Sequence, residues 1–282
     1  MAGERNSPSA LRWLIGVELA NYRKRVGLNQ AEAAARAGIG VGTLSHLETG
    51  ERRQRPDIVA QVLRAYRAPQ HDINRMTSLA EIPDESTWWG AWSDVVPDWF
   101  ATFVGLERLA SKEFVFEPIV LPGLLQTQDY ARELSRAGQR VRADHSERVV
   151  ELRMERAQRL TAESPLHLHA AINEQALRLR VGSTETLASQ YEHLLTLADR
   201  PNVTIQVVVP ERGPHGAPTG HFVILDFDNA RSIGYAEVQD GAMYVQHPGE
   251  VDTYRQSRLS VQDVALSPSD SVRYIADLIE KL

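Results

Sequence analysis

The stretch from residue 28 to residue 48 most restricts how this chain can fold, because it reads as two short helices joined by a tight turn. Small residues share one face of the first helix at i+3 and i+4 spacings: Ala33, Ala34 and Ala37. Gly38 follows them, and a glycine allows the left-handed backbone conformation that ends a helix. In the second helix, Leu44 and Leu47 share a face and can anchor that helix to a core. The pattern predicts two helices that cross closely at a glycine turn.

The second helix leaves an outward face that can enter the major groove of DNA, as in a helix-turn-helix. The residues predicted on this face are Gly40, Val41, Gly42, Thr43 and His46. Thr43 can bond a phosphate or a base edge, Val41 can touch a thymine methyl group, and His46 can donate to guanine or to phosphate. The two glycines offer little side chain to read bases. The alternative interpretation is an ordinary helical hairpin inside another kind of helical domain.

The charge of the chain is unevenly divided. Its net charge is −6, but residues 1–68 hold 11 Lys and Arg against 6 Asp and Glu, a net of +5, which leaves −11 for the remainder. A basic loop follows the second helix and contains Arg52, Arg53 and Arg55. We expect this loop to contact phosphates, and shape readout or these arginines to supply the specificity that the glycines cannot. The asymmetry predicts two domains, 1–82 and 83–282, with a polar linker near residues 82–86.

The segment from Leu11 to about Ala68 resembles the XRE-type, lambda-repressor-like helix-turn-helix family. The resemblance rests on Arg23, Leu28, Gln30, Ala34, Gly38, Thr43, Leu47, Glu48, Gly50 and Pro56. It implies that Arg23 contacts or supports the DNA backbone, and that Gln30 points at a phosphate and braces the recognition helix. Glu48 is predicted to form an internal ion pair. Together with helices at 10–26, 56 onward and 71–81, the segment predicts an all-α domain of five helices.

Composition excludes several classes of protein. The chain has no cysteine, so it has neither disulfides nor a thiolate metal site. It has no membrane-length apolar run, and its first residues lack the features of a secretion signal, so we expect a cytoplasmic, nucleoid-associated protein. No phosphate-binding loop, nucleophile elbow or zinc-protease motif occurs in the sequence. We therefore expect no enzyme activity, no cofactor and no metal. His167 and His169 share a strand face, but no third ligand follows at a useful spacing.

The region after residue 83 predicts an α+β domain. Alternating patterns predict strands at 112–121, 166–172, 203–209, 221–226, 232–238 and 242–246. Helices are predicted at 98–110, 146–162, 185–198, 250–264 and 269–282. Because the later strands follow one another closely, we expect a small, mainly antiparallel sheet. The charged helix at 146–162 is predicted to face solvent or a dimer partner rather than nucleic acid.

Two features of this region are candidates for binding a small molecule. Four of the five tryptophans fall within residues 88–99, and Trp88, Trp89 or Trp92 can line an apolar pocket. Alternatively, they simply pack the start of the domain. The loop at 211–220 is rich in Gly and Pro, so it is either a lid over a pocket or a long hairpin loop. We include His215 in that loop and His221 just after it as candidate ligand contacts.

The region from about Trp88 onward resembles an actinobacterial domain of unknown function that follows XRE-type segments in antitoxin-like regulators. The matching segments include P-G-L-L-Q-T-Q-D-Y-A-R at 122–132, R-M-E-R-A-Q-R-L at 153–160, G-H-F-V-I-L-D-F at 220–227 and Y-A-E at 235–237. The resemblance implies a regulator that is frequently paired with a small companion protein. Two hypotheses follow. The chain is a homodimeric regulator that binds double-stranded DNA and senses a small molecule or a partner, or it is mainly an antitoxin-like module that binds a companion protein.

Overall fold

The computed structural model describes residues 9–84, 88–138 and 143–282. Of the predicted linker, residues 85 and 86 lie outside these ranges. The chain forms two compact units that alternate along the sequence. The first contains the described residues up to Ala91 together with Pro97–Leu109 and Asp226–Ser232, and the second contains the remaining described residues. The predicted division near residue 82 remains a prediction.

The described residues of the first unit form six α-helices. They are α1 (Ala10–Arg25), α2 (Gln30–Ala37), α3 (Val41–Thr49), α4 (Pro56–Ala65), α5 (Gln70–Glu81) and α6 (Asp98–Leu109). Helix α2 begins with a capping box in which the Asn29 side chain accepts from the Glu32 amide and Glu32 accepts from the Asn29 amide. It ends at Gly38, whose φ of 67° places it in the left-handed region. Five helices by residue 81 confirm the sequence prediction.

Helices α1 and α3 approach closely at two glycines. A Cβ on Gly16 of α1 would collide with the backbone carbonyl oxygen of Glu48. Gly50, which ends α3 with a φ of 75°, lies against the backbone of Arg12, so a Cβ there would come within 2.9 Å of it. The Gln54 amide, which is buried, donates to the carbonyl oxygens of both Arg12 and Leu47. Helix α3 and the loop after it are thus anchored on α1.

A buried carboxylate in α1 joins three parts of the first unit. Glu18 is 1% exposed and accepts a hydrogen bond from Arg75 of α5 at 3.3 Å. It also accepts from the backbone amide of Arg231 at 2.7 Å, within the segment Asp226–Ser232. Arg75 in turn donates to the carbonyl oxygen of Asn229 at 2.9 Å. The first unit is therefore completed by residues distant in sequence from its five helices.

The second unit is built on a six-stranded sheet with the order β3-β2-β1-β4-β5-β6. Its strands are β1 (Lys112–Glu117), β2 (His167–Asn173), β3 (Val203–Val208), β4 (Phe222–Asp226), β5 (Ile233–Val238) and β6 (Gly241–Val245). Its helices are α7 (Gln128–Ala137), α8 (Ser146–Ala157), α9 (Glu174–Arg178), α10 (Thr184–Ala198), α11 (Pro248–Val264) and α12 (Pro268–Ile279). Helices α7 and α9 were not predicted from the sequence.

The sheet is mixed, so the prediction of a mainly antiparallel sheet was wrong. Strand β2 pairs in parallel with both β1 and β3, whereas β5 pairs antiparallel with both β4 and β6. The reason is the length of the connections. Helices α7 and α8 lie between β1 and β2, and α9 and α10 lie between β2 and β3, which gives the long crossovers that parallel pairing requires.

One core cluster of the second unit lies on one face of this sheet and includes Val261 of α11. Its buried members are Phe114, Phe116, Ala171, Val208, Ala217, Phe222, Ile224, Val261 and Ala265. The side chain of Glu117 points to the other face, because successive side chains of a strand alternate between faces. None of the described helices combines the length and the apolar composition that a membrane crossing requires.

Candidate nucleic-acid interface

Helix α3 buries one side and exposes the other. Leu44 and Leu47 are buried, as the sequence predicted. The residues predicted to face DNA are exposed at the start of the helix: Gly40, Val41, Gly42 and Thr43. Val41, a β-branched apolar residue, is 48% exposed. A small, smooth and mostly uncharged surface therefore lies at the N-terminal end of α3.

His46 lies one turn further along α3 and is half-buried. Its Nδ1 atom makes a short contact with the carboxylate of Glu51, in the loop that follows the helix. This contact was not predicted from the sequence. Because the carboxylate orients the ring, Glu51 positions His46 at the edge of the exposed face.

The two polar residues inferred from the family resemblance, Arg23 and Gln30, meet at Glu48. Arg23 donates to the two carboxylate oxygens of Glu48 at 2.6 Å and 3.0 Å, and to the carbonyl oxygen of Leu28 at 2.9 Å. Gln30 donates to Glu48 at 2.9 Å. The hydrogen bond to Glu48 raises the pKa of Arg23, so the guanidinium is held in its charged form. Glu48 forms the internal ion pair that was predicted.

The loop after α3 presents free positive charge. Arg52 and Arg53 are exposed, and within the described residues neither side chain has an ion pair or hydrogen bond. Arg55 differs, because it donates to Asp57 at 2.7 Å. Since Gln54 is buried between these arginines and tied to the backbone of α1 and α3, the loop holds Arg52 and Arg53 beside the exposed face of α3.

The residues predicted to bind a small molecule are not brought together as one set. The tryptophans at positions 88, 89 and 92 lie on a 3-10 helix, Trp88–Trp92, and each is half-buried. The ring of His215 packs edge-on against Phe116 at 5.0 Å between centroids. His221 Nδ1 lies 3.1 Å from a carboxylate oxygen of Glu117. Because Phe116 and Glu117 are consecutive strand residues, the two histidines contact opposite faces of the sheet.

Of the two histidines on β2, His169 has protein partners. His169 Nε2 lies 2.6 Å from the amide oxygen of Gln206, and Gln262 of α11 lies 3.1 Å from its Nδ1. Burial lowers the pKa of His169. His167 and His169 line an open cavity of about 170 Å³ at the amino-terminal edge of the parallel strands. In the part of the chain that the structure describes, no three His, Asp or Glu side chains cluster as a metal site requires.

Comparison with known families assigns both parts of the chain. The model of the domain of unknown function DUF5753 matches residues 100–277 of the 282. This chain belongs to the DUF5753 family. A helix-turn-helix domain model matches residues 14–76, so a helix-turn-helix domain precedes the DUF5753 domain, as the two resemblances predicted. The narrower XRE assignment stays a prediction. No curated protein and no solved structure gives a significant match.

The DUF5753 domain contains a charged cluster that the sequence did not predict. Arg153 and Arg156 of α8 point inward, and Arg156 is 8% exposed. Several segments that carry the second resemblance meet at this cluster, since it also includes Gln126, His221 and Glu237. The spacing of the arginines, three residues apart, was the available signal, because it places both on one side of a helix.

Proposed function

We propose that this DUF5753 protein is a sequence-specific DNA-binding transcription regulator. The observation that carries the proposal is the exposed N-terminal face of α3, beside which the loop holds two arginines that have no ion pair with any described residue. An apolar, solvent-facing Val41 and two glycines allow close approach to a base-pair edge. Arg52 and Arg53 supply charge for phosphates. A protein of this kind acts in the cytoplasm on the nucleoid, by binding rather than by catalysis.

Each residue of the interface has a distinct proposed role. Thr43 and His46 contact base edges or phosphates, with Glu51 orienting the His46 ring. Arg52 and Arg53 contact phosphates irrespective of sequence. Arg23 and Gln30 brace α3 through Glu48. The guanidinium of Arg23 is already engaged by Glu48 and by a backbone carbonyl. We therefore assign Arg23 a positioning role rather than a contact with the DNA backbone.

We further propose that the protein binds DNA as a homodimer. One short recognition helix with two glycines provides few base contacts, and two copies on half-sites one DNA turn apart provide enough. The edge strand β6 supports the view that the two copies contact each other through their second domains. It ends the sheet and carries Met243, which is 51% exposed. Two β6 strands from two copies can pair antiparallel around a two-fold axis.

The DNA proposal is tested by selecting fragments that the full chain binds from a random pool. We expect enrichment of a sequence with two related half-sites about 10 bp apart. Recovery of fragments with no shared sequence would contradict sequence-specific binding. The second hypothesis, an antitoxin-like module, predicts instead that a small protein co-purifies in a fixed ratio and that the chain alone enriches no sequence.

A further inference from the structure

The two inward arginines of α8 flank one small space. A Cβ placed on Gly123 would lie 3.7 Å from a terminal nitrogen of Arg156 and 4.0 Å from Nε of Arg153. Gly123 carries no side chain, so its position leaves room between the two guanidinium groups. Guanidinium groups repel each other unless an anion lies between or beside them. The two positively charged guanidinium groups therefore both border the space beside Gly123.

Arg153 lacks the partner that a recessed charge requires. Its one hydrogen bond to the described residues runs from a terminal nitrogen to Gln126 Oε1, at 2.6 Å, and Gln126 is a neutral group. Among those residues, no carboxylate lies within ion-pair distance of Arg153. A guanidinium has five N–H donors, so four remain without a protein acceptor. Arg156, by contrast, has partners of its own.

The two carboxylates nearest to the cluster already have partners. Glu117 lies 3.1 Å from His221, and Glu237 accepts a hydrogen bond from the Tyr235 hydroxyl at 3.0 Å. They act on Arg153 only at longer range. Burial first, and the charge of Arg156 second, lower the pKa of Arg153 to about 10 despite the opposing effect of these carboxylates. The charge of Arg153 is therefore incompletely balanced within the described structure.

The place of the cluster in the fold suits a ligand. Glu117 is the last residue of β1, and Gly123 begins the short 3-10 helix that follows it, so the arginines lie near the carboxyl end of a parallel strand. Ligands of open α/β sheets bind outside this edge. Arg153 is half-buried rather than sealed, which leaves its free donors in reach of a molecule from solvent.

We propose that Arg153 and Arg156 bind an oxyanion, the carboxylate or phosphate group of a small molecule. Both groups match the planar fork of a guanidinium and accept paired hydrogen bonds from it. The free donors of Arg153 bind the oxyanion, Gln126 orients Arg153, and Arg156 adds the second positive charge. The inference deepens the proposed function, because it names the chemical class of the effector that the DUF5753 domain senses.

The test is a thermal-shift titration of the full chain with sodium phosphate and, separately, with sodium malonate. Sodium chloride of equal ionic strength is the reference, so that general screening is subtracted. We expect one of the two anions to raise the melting temperature saturably, by about 3 °C or more near 50 mM. Whichever anion does so identifies the group as phosphate or carboxylate. A flat response to both overturns the proposal.

Variants separate this site from general effects of anions. Arg153→Met is expected to abolish the response, and Arg132→Met, which removes an arginine already paired with Asp129 and Glu147, is expected to keep it. If Arg153→Met does not fold, Arg153→Lys keeps the charge but loses the fork, and its half-saturating anion concentration should rise about tenfold. A wild-type response in either Arg153 variant would overturn the assignment.

The same preparations separate this site from the proposed DNA function. The thermal shift needs no DNA, and DNA binding is measured afterwards with and without the active anion. If the wild-type chain binds DNA but shows no anion response, only the oxyanion proposal is contradicted. If the wild-type chain shows the anion response but binds no DNA, only the regulator proposal is contradicted.

Discussion

Glu48 and Arg23 form a two-point ion pair across the helix-turn-helix, with N–O distances of 2.6 Å and 3.0 Å. The side chain of Arg23 is 13% exposed and that of Glu48 is 5% exposed, so the pair is largely withdrawn from water. Glu48 lies in α3, and Arg23 lies near the end of α1. The pair therefore fixes how α3 packs against α1.

Glu48→Ala should destabilise the protein strongly. The substitution leaves the Arg23 guanidinium half-buried without its carboxylate, which costs about 3 kcal/mol of unfolding free energy. Urea unfolding followed by circular dichroism measures the change. Asp57→Ala is the matched control, because its pair with Arg55 is exposed, and we expect a much smaller loss of stability. Equal losses for the two variants would show that the Arg23–Glu48 pair is no more than a surface contact.

Replacing Arg52 and Arg53 by Gln should weaken binding to all DNA sequences. Each lost phosphate contact reduces the slope of log K against log salt concentration by about 1, so the double variant should lose about 2. Anisotropy titrations at several salt concentrations measure this slope. A control that replaces Arg136 and Arg255, both in exposed ion pairs of the second unit, should keep the wild-type slope. An unchanged slope in the Arg52 and Arg53 variant would count against phosphate contacts by the loop.

His221 should make stability depend on pH. Burial acts to lower its pKa, but the contact with Glu117 and the charges of Glu117 and Glu237 outweigh burial, so the pKa of His221 is raised. The Tyr235 ring also faces it, at 6.3 Å. A raised folded-state pKa stabilises the protein fully below the ordinary histidine value of about 6.5. That contribution is lost as pH rises through the folded-state pKa.

Melting temperatures between about pH 5 and pH 9 check this prediction. Wild type should lose stability relative to His221→Gln as pH rises above about 6.5. His247→Gln, which alters an exposed histidine, should follow the wild-type curve. Parallel curves for wild type and His221→Gln would mean that the Glu117 contact does not hold a proton on His221.

The helices of the helix-turn-helix were predictable from the sequence because their signals are local. Asn29 and Glu32 supply the N-terminal cap of α2, and Gly38 supplies its end, within a span of ten residues. The sequence predicts helices at 30–37 and 41–48, and the structure has α2 at Gln30–Ala37 and α3 at Val41–Thr49, one residue longer. Such signals act through neighbouring backbone groups and need no knowledge of the rest of the chain.

The sheet order and the charged cluster were not predictable in this way. Strand β1 lies between β2 and β4, and no local pattern shows that a strand's neighbour follows some 50 residues later. The charged pattern of α8 predicts a solvated helix, yet Arg153 and Arg156 point inward. The pattern could not show this, because Gln126 and the carboxylates near the arginines come from other segments of the chain. Likewise, Arg231 reaches Glu18 from 213 positions away.

The most direct test of the central claim is DNA binding by a variant with Thr43→Ala and His46→Ala. Measured on the selected DNA sequence, its affinity should fall at least about tenfold, with a melting temperature close to wild type, because both side chains face outward from the core. The matched control removes the same two residue types, three positions apart, from α10: His193→Ala and Thr196→Ala. It should keep wild-type affinity. Unchanged affinity in the Thr43 and His46 variant would contradict the assignment of α3 as the recognition helix.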